Sequence, residues 1–506
     1  MRIANNQMMD LNLKSGSKPL SIVGINSAND AAEYKSRDRS YKSDLGQFLT
    51  PIPIANFMAS MFSKRSIKNC RLLDAGAGVG TLSCALLNRW NSEGIKHKNI
   101  SVNAFEIDDS LIPYLDENLT NYTDVESTIH SEDFISSATA TRNSEKFTHA
   151  ILNPPYKKIG SKSKHRELLR SVGIETGNLY SAFVALALRE MEEEGEVIAI
   201  IPRSFCNGPY FKPFRKFILE NAAITHLHLF KSRTDAFKGD AVLQENIIIG
   251  LKRGTAQNEV IVSTSTDSSF SDLTSHKYNF EQIVTTGDAD QFFNIPTKPD
   301  KVIDNDLNFF SSSLEDIGAC VSTGPVVGFR LREHLRDDIS EGCSPLIYPA
   351  HLRNGSVNWP LEDGKKANAI HRNENTQKWL YPNGFYCLVR RFSSKEERHR
   401  IVASVISPEV FGQAEFLGID NKLNVYHFDK KGISENLAHG LAAFLNTDWV
   451  DEEFRLFSGH TQVNATDLRR LRYPSNEKLI KLGKWILKQN EPTQDEIYKQ
   501  LGISVG

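Results

Sequence analysis

The feature that most constrains the fold is an alternation, along residues 41–252, of short apolar runs with segments of helical periodicity. The apolar runs have the length and composition of buried strands. They span residues 71–75, 101–107, 149–152, 196–202, 225–230 and 246–251. Helical patterns lie between them, over residues 81–90, 111–119, 179–194 and 212–221. Because strands that alternate with helices form parallel βαβ units, the sequence predicts an α/β fold with a doubly wound sheet.

The alternation ends near residue 253. A polar stretch rich in Ser and Thr at 263–272 is typical of a connector, and after about residue 300 the apolar segments become irregular and rich in turns. We therefore predict two folded domains of different construction, with a flexible polar arm before them and a helical tail after them. The predicted bounds are 1–40 for the arm, 41–255 for the first domain, 256–300 for the connector, 301–475 for the second domain and 476–506 for the tail.

Composition excludes several classes of protein. The 60 Lys and Arg residues are balanced by 62 Asp and Glu residues, so the chain is not globally basic like a histone, although a local basic surface could still bind nucleic acid. No apolar run reaches the roughly 18 residues of a membrane span, and the N-terminus lacks the apolar core of an export signal. The six cysteines include no CxxC pair. We therefore expect a cytoplasmic protein with reduced thiols, no membrane partner and no metal site.

A glycine-rich loop follows the first predicted strand. It runs from Asp74 to Gly80, includes Gly76 and Gly78, and opens a predicted helix. Glycines let the backbone approach a ligand closely, and the free N–H groups at the helix start can donate to it. This loop geometry serves dinucleotides and S-adenosylmethionine, and a tight strand–helix turn without a ligand is the alternative.

Acidic residues follow the next two strands. Glu106 stands at the tip of the second strand, where its carboxylate can accept hydrogen bonds from both hydroxyls of a ribose. Asp108 and Asp109 compete for that role, or they cap the helix that follows. After a third strand, which would lie between the runs at 101–107 and 149–152, Asp133 and Phe134 offer an acceptor for the exocyclic amine of an adenine and an apolar face for its ring.

The most informative motif is Asn153-Pro154-Pro155-Tyr156, directly after the apolar run at 149–152. Ligands of doubly wound sheets bind at the carboxyl ends of the strands, and this motif lies at such an end. The two prolines stiffen the turn and aim two acceptors, the Asn153 side chain and the Pro154 carbonyl. Tyr156 adds a flat face for stacking. The alternative interpretation is a rigid turn that only ends the strand.

Taken together, these motifs resemble those of the amino-methyltransferases that use S-adenosylmethionine. The order of DAGAGVG, FEID, EDF and NPPY, with a long region behind it, resembles the gamma arrangement of the DNA adenine-N6 methyltransferases. Further segments resemble the PstI/BsuBI-type modification methylases, so that the similarity covers roughly residues 41–475. These segments are residues 237–249, 391–398 and 459–469, whereas residues 44–51 resemble the N-terminal cofactor-contact motif of the amino-methyltransferases.

The resemblance implies a Rossmann-like methyltransferase sheet followed by a mixed α+β target-recognition domain. It implies a type II restriction–modification enzyme that transfers a methyl group from S-adenosylmethionine to N6 of an adenine flipped out of double-stranded DNA. It also implies a cognate restriction endonuclease on a separate chain, because no segment is left over here for a nuclease.

Roles toward the cofactor follow from the same resemblance. Thr50 and the loop at 74–80 would contact the methionine part, and Glu106 would hold the ribose. Asp133 and Phe134 would bind the cofactor adenine.

Roles toward the target base follow as well. Asn153 and Pro154 would accept hydrogen bonds from the target amine, in the turn that Pro155 completes. An adenine amine is a poor nucleophile because its lone pair is delocalised into the ring, and two acceptors stabilise the positive charge that grows on it. Tyr156 would stack on one face of the extruded base, and Phe237 would stack or pack on the other.

Clusters of basic residues predict contacts with DNA. Residues 157–170 carry six Lys or Arg against one Glu, next to the motif, so Lys157 and Lys158 are candidate contacts to phosphates. Arg391 belongs to a second cluster at 390–400, and a third lies at 469–472. A solvated charged surface explains each run equally well.

Other functions remain open at this point. Adenine in RNA, or glutamine in a protein, would suit the Asn153 motif equally well, but a glutamine methylase needs no recognition region of this length. A non-catalytic DNA-binding subunit is a third alternative, although the intact motif argues against it. Cytosine-C5 chemistry is not expected, because the sequence has no Pro-Cys dipeptide.

Overall fold

A computed structural model describes residues 49–140, 145–231, 245–296, 310–361, 366–393, 397–458 and 462–503. The described residues form two compact units. The first unit comprises the residues up to Arg203 together with Tyr210–Gly287, and the second comprises Ser204–Pro209 together with those from Asp288 onwards. The predicted arm at 1–40 and Phe237 lie outside the described residues.

The first unit is built on one nine-stranded sheet. Its strands are β1 (Asn69–Ala75), β2 (Asn99–Phe105), β3 (Val125–His130), β4 (Phe147–Leu152), β5 (Met191–Pro202), β6 (Ala222–Phe230), β7 (Asn246–Arg253), β8 (Glu259–Ser265) and β9 (Thr274–Asn279). Its helices are α1 (Ile52–Ser60), α2 (Thr81–Glu93), α3 (Ile112–Thr120), α4 (Phe134–Ala140), α5 (Lys164–Ser171), α6 (Leu179–Glu190), α7 (Lys212–Asn221) and α8 (Phe280–Ile283).

The order of the strands fixes where a ligand can bind. The sheet runs β3-β2-β1-β4-β5-β7-β6-β8-β9, and the first five strands are parallel. Strand β7 is antiparallel to both β5 and β6. The strand order reverses between β1 and β4, and a doubly wound sheet opens a ligand crevice beyond the carboxyl ends of its strands at such a point. The predicted α/β fold with a doubly wound sheet is thus confirmed.

The central strands are apolar because they are buried on both faces. Residues 197–201 of β5 and 247–251 of β7 are almost continuously apolar and buried, as expected of strands that are covered on both faces. Helix α6 is buried along nearly its whole length. It ends at Glu190, four residues before the predicted end at 194, because β5 already begins at Met191.

The structure differs from the predicted connector at 256–300. Strands β8 and β9 both lie in this range and extend the first sheet, and the boundary between the two units falls after Gly287. Val260 and Val262 are buried, and the hydroxyls of Thr264 and Thr274 lie 2.9 Å apart across the two strands. The polar composition of this stretch is therefore that of an outer pair of strands.

The second unit contains two small sheets and a group of helices. One sheet has the order β10-β20-β17-β18-β14-β13 and the other β11-β15-β12-β19-β16. The strands are β10 (Cys320–Thr323), β11 (Leu335–Arg336), β12 (Cys343–Ile347), β13 (Leu352–Arg353), β14 (Ser356–Val357), β15 (Ala369–His371), β16 (Leu380–Pro382), β17 (Tyr386–Arg390), β18 (Ala403–Ile406), β19 (Phe416–Ile419) and β20 (Leu423–His427). The helices are α9 (Glu435–Leu445), α10 (Asp448–Phe457), α11 (Ala465–Arg470), α12 (Asn476–Ile486) and α13 (Gln494–Leu501).

The segment predicted as a terminal tail belongs to the core of this second unit. Leu479 and Leu482 of α12 are fully buried in its main apolar cluster. Helices α9 and α12 approach so closely that a Cβ on Gly440 would strike the backbone of Leu479, and one on Gly483 would strike the backbone of α9.

No helix among the described residues is both long and apolar enough to cross a membrane.

Candidate active site

A cavity of about 230 Å³ lies at the carboxyl ends of β1, β2 and β4. It contains eight of the residues that the sequence predicted for cofactor or target, together with apolar side chains from the surrounding helices. The lining residues are Leu49, Gly76, Gly78, Phe105, Glu106, Ile107, Leu111, Glu132, Asp133, Phe134, Asn153, Pro155, Lys157, His165, Leu179 and Phe183.

The glycine loop leaves β1 with positive φ angles at Gly76 (81°), Gly78 (58°) and Gly80 (83°), a conformation that other residues rarely adopt. The Gly76 N–H donates to the Phe105 carbonyl at 2.9 Å, which ties the loop to β2. A Cβ on Gly76 would lie 3.8 Å from the Asn153 carbonyl oxygen, so the loop lies beside the Asn153 turn. Gly80 instead packs under Leu115, away from the cavity lining.

Asp74 lies beneath this loop and does not line the cavity. It is fully buried, and the Ser83 hydroxyl donates to its Oδ2 at 2.6 Å. Burial raises the pKa of Asp74 to about 7. Its Oδ1 has no hydrogen-bond partner within the described part of the chain. The predicted cofactor residue Asp74 therefore supports the start of α2 in this structure.

Glu106 reaches the cavity from the end of β2. Its two carboxylate oxygens accept from the N–H groups of Gly78 and Asp108, both at 2.8 Å. Glu106 is only 4% exposed, and this burial raises the pKa of its carboxyl. These hydrogen bonds hold the carboxylate in place at the wall of the cavity. Asp108 accepts from the Ser110 N–H at 3.0 Å and thus caps the turn.

The other end of the cavity is aromatic and acidic. Phe134 is buried between Phe105 and Phe183, with ring centroids 5.1 and 5.2 Å away. The Asp133 Oδ2 accepts from the Ser136 N–H at 2.8 Å, and His165 Nε2 lies 3.2 Å from the same oxygen. The geometry provides a flat apolar wall with a carboxylate beside it.

The Asn153 turn is tied to two other parts of the chain. Asn153 Nδ2 donates to Thr50 Oγ1 at 3.0 Å, and the Tyr156 hydroxyl donates to Asn153 Oδ1 at 3.1 Å. The same hydroxyl lies 3.2 Å from the Ile200 carbonyl of β5. Thr50 is thus joined to the motif and not to the cavity lining, and Pro154 is buried behind the cavity.

Sequence reasoning missed several residues of the cavity. Ile107 is 57% exposed there, and it could have been found because it directly follows Glu106 at a strand end. Leu111, which precedes α3, and Phe183 of α6 come from segments whose distance from the site only the fold reveals. His165 was missed because it lies within the basic run at 157–170, where no motif distinguishes it.

The basic run at 157–170 is partly helical. Residues from Lys164 onwards form helix α5, and the Lys158 backbone pairs with Asn178. Arg166 and Arg170 both form ion pairs with Glu175. Lys157 and Lys158 remain exposed, and Lys157 lines the cavity.

The arginine clusters of the second unit serve largely as internal contacts. Arg391 donates to the Asn421 carbonyl at 3.2 Å and to Gln462 at 3.3 Å. Arg469 donates to the Val321 carbonyl at 2.8 Å. These side chains hold segments of the second unit together, so a role of Arg391 toward DNA stays a prediction.

The lining of the cavity combines carboxylates with apolar and aromatic side chains, as a site for a nucleoside would. Carboxylates stand at the ribose and adenine positions that the resemblance implies, and Leu49, Ile107 and Phe134 supply apolar surface between them. Among the described residues no cluster of His, Cys, Asp and Glu side chains could hold a metal ion.

Comparison with known proteins identifies the family. Residues 50–237 match the model of the Eco57I restriction-modification methylase family. The type II methyltransferase M.BsuBI of Bacillus subtilis is 50% identical over 462 residues, which cover 89% of this chain and 91% of that protein. The type II methyltransferase M.PstI of Providencia stuartii is 42% identical over 476 residues, covering 91% and 93% of the two chains.

Solved structures are similar at the level of the fold. The cryo-electron microscopy structure of a DrdV–DNA complex has a TM-score of 0.50 at 14% identity, covering 89% of this chain and 58% of that chain. The methyltransferase subunit of a type I restriction-modification system from Streptococcus thermophilus has a TM-score of 0.36 at 20% identity, covering 49% and 54%. From the near full-length similarity to M.BsuBI and M.PstI, the chain belongs to the type II methyltransferases of restriction–modification systems, with S-adenosylmethionine as methyl donor.

Proposed function

We propose that the protein methylates N6 of an adenine within a specific sequence of double-stranded DNA. The observation that carries this proposal is the position of Asn153, which lines the cavity at the end of β4 with its amide held by Thr50 and Tyr156. Family membership supports DNA methylation in a restriction–modification system. The choice of adenine rests on the chemistry of the turn.

The cofactor would lie along the cavity in a defined direction. Glu106 would accept from the ribose hydroxyls, because its oxygens are fixed by backbone N–H groups and face the lining. Asp133 would accept from the adenine amine, and Phe134 and Ile107 would pack against the ring. The methionine part would then lie along the glycine loop, which passes next to the Asn153 turn.

The target amine would be bound by two acceptors of the same turn. Asn153 Oδ1 and the Pro154 carbonyl would accept its two hydrogens and draw the nitrogen toward tetrahedral geometry. S-adenosylmethionine supplies a methyl group on a positively charged sulfur. The nitrogen forms a bond to this methyl carbon, the carbon–sulfur bond breaks with its electron pair going to sulfur, and the amine loses one proton to water.

An adenine inside duplex DNA cannot reach this turn, so the base would be flipped out. The ring of Tyr156 would stack on it, while the hydroxyl keeps its contact with Ile200. Phe237 stays a candidate for the opposite face of the base. Lys157 and Lys158, beside the turn, would contact phosphates, and the second unit would read the sequence. A separate cognate endonuclease would cleave the unmethylated site.

The proposal is tested by transfer of a labelled methyl group from S-adenosylmethionine to duplex DNA, RNA and protein in parallel. We expect label in DNA, and N6-methyladenine after digestion of that DNA to nucleosides. Single-molecule sequencing of the product would then give the methylated site. Label in RNA or protein, or on cytosine, would contradict the proposal. An absence of label in all three, with cofactor bound, would favour the non-catalytic subunit.

A further inference from the structure

We infer that His165 is a positioning residue for the cofactor adenine, acting through Asp133. The inference rests on the proposed function, which assigns Asp133 to the adenine amine. His165 lies in the first turn of α5 and lines the cavity, with Nε2 3.2 Å from Asp133 Oδ2. The motifs that carry the family resemblance do not include this residue.

The contacts of Asp133 explain why a second donor matters. Its Oδ2 accepts from the Ser136 N–H at 2.8 Å, as a cap of helix α4, and the His165 imidazole meets the same oxygen. Two donors on one oxygen fix the rotation of the carboxylate plane. Within the described part of the chain nothing donates to Oδ1, which therefore remains as an acceptor for a ligand.

The position of α5 lets His165 connect two parts of the site. Helix α5 packs against α4. A short segment that includes Lys157 connects the Asn153 turn to α5. The contact with Asp133 therefore joins the part of the chain that would meet the target base to the part that would hold the cofactor adenine. Besides Asp133, the charged side chains of the lining are Glu106, Glu132 and Lys157, and Glu132 accepts from the Ser137 hydroxyl at 3.0 Å.

The chemistry of the contact predicts which substitutions preserve it. Imidazole donates through an Nε2–H group, both as the cation and as one neutral tautomer. A glutamine side chain can place an N–H₂ donor at a similar distance, whereas alanine has no donor. His165→Gln should therefore keep most of the effect, and His165→Ala should lose it.

The test is calorimetric binding of S-adenosylmethionine, and of its analogue with the 6-amino group replaced by oxygen, without DNA. For His165→Ala we expect a 3- to 10-fold weaker affinity for S-adenosylmethionine, about the effect of one hydrogen bond. For the analogue, which lacks the amine, we expect His165→Ala and the wild type to bind with the same affinity. Lys164→Ala, an exposed neighbour on the same helix turn, is the matched control and should bind like the wild type.

A double-mutant cycle with Asp133→Asn separates the possible outcomes. If His165 acts through Asp133, the double variant binds no more weakly than Asp133→Asn alone. Unchanged affinity of His165→Ala, with a lower melting temperature, would show that His165 only fixes α5 and would overturn the inference. Unchanged affinity of Asp133→Asn would instead overturn the proposed assignment of Asp133 itself. An equal loss for both ligands would also contradict the inference.

Discussion

The two units use their polar and charged side chains in different ways. In the first unit, Glu106, Asp133 and Asn153 stand at strand ends and face a cavity, each held in place by neighbouring donors or acceptors. In the second unit, Arg400 and Arg469 turn inward and bind other segments of the same unit. A polar residue at the end of a parallel strand is thus a strong predictor of a site, whereas a cluster of arginines in the sequence is a weak one.

The largest effect that this comparison predicts is on stability in the second unit. Arg400 is 1% exposed, and its Nε donates to Ser393 at 3.1 Å. Burial raises the pKa of the Asp467 carboxyl, and the charge of Arg400 opposes this rise. Arg400→Ala removes this compensation, so we expect the free energy of unfolding to fall by about 3–5 kcal/mol. Urea unfolding would measure it. Arg398→Ala, exposed in the same cluster, should change it by less than about 0.5 kcal/mol. Equal effects of the two substitutions would show that the buried position of Arg400 does not contribute to stability.

A smaller effect is expected on cofactor binding in the first unit. Glu106→Ala removes a fixed carboxylate from the cavity, and we expect the affinity for S-adenosylmethionine to fall by about 1.5–3 kcal/mol. Calorimetry would measure it. Asp109→Ala changes a neighbouring exposed acid and should leave the affinity as it is. If Glu106→Ala bound normally, the ribose would be held elsewhere, and Asp108 would be the first residue to test.

Tyr156 separates stacking from hydrogen bonding in the same unit. Tyr156→Ala should weaken capture of the extruded base by about 1–3 kcal/mol, because the stacking face is lost. Tyr156→Phe keeps the ring but removes the hydroxyl that donates to Asn153, so DNA binding should be kept and the rate should fall modestly. Binding to duplexes with a mismatched target base, together with single-turnover rates, would measure both. A Phe variant that binds as poorly as the Ala variant would show that the ring does not stack.

The smallest effects are expected in the basic run after the motif. Lys158 is exposed, whereas Arg170 is paired with Glu175 at 2.8 Å. Lys158→Ala should reduce the salt dependence of DNA binding by about one charge, and Arg170→Ala should leave it unchanged. Titrations at several salt concentrations would show the difference. If Arg170→Ala reduced the salt dependence and Lys158→Ala did not, the surface of α5 would contact the phosphates, and the segment between the Asn153 turn and α5 would not.

The sequence predicted the first unit well because its signals are local. Apolar runs located six of the strands, and the Asn153 motif and Glu106 lie at strand ends as expected. Strand β3 was not among these runs because none of its residues is fully buried. The end of helix α6 was misplaced because β5 follows it without a loop, so that no turn residue marks the boundary. Strands β8 and β9 were interpreted as a connector because they are polar.

The second unit could be predicted only in outline because its contacts are distant in the sequence. The close approach of Gly440 and Gly483 joins two helices that no local pattern pairs. The burial of Arg400 depends on segments around Ser393 and Asp467. His165 was missed for the same reason, since its contact with Asp133 crosses from one helix start to another.

Asn153 is proposed to activate the target amine, whereas the alternative is that it only ends a strand. The most direct measurement is single-turnover methylation of duplex DNA by Asn153→Ala, with cofactor affinity and melting temperature measured on the same sample. We predict a loss of about 10²–10³ in rate, with the protein folded and the affinity for S-adenosylmethionine nearly unchanged. A folded Asn153→Ala protein that methylates DNA at the wild-type rate would contradict the account.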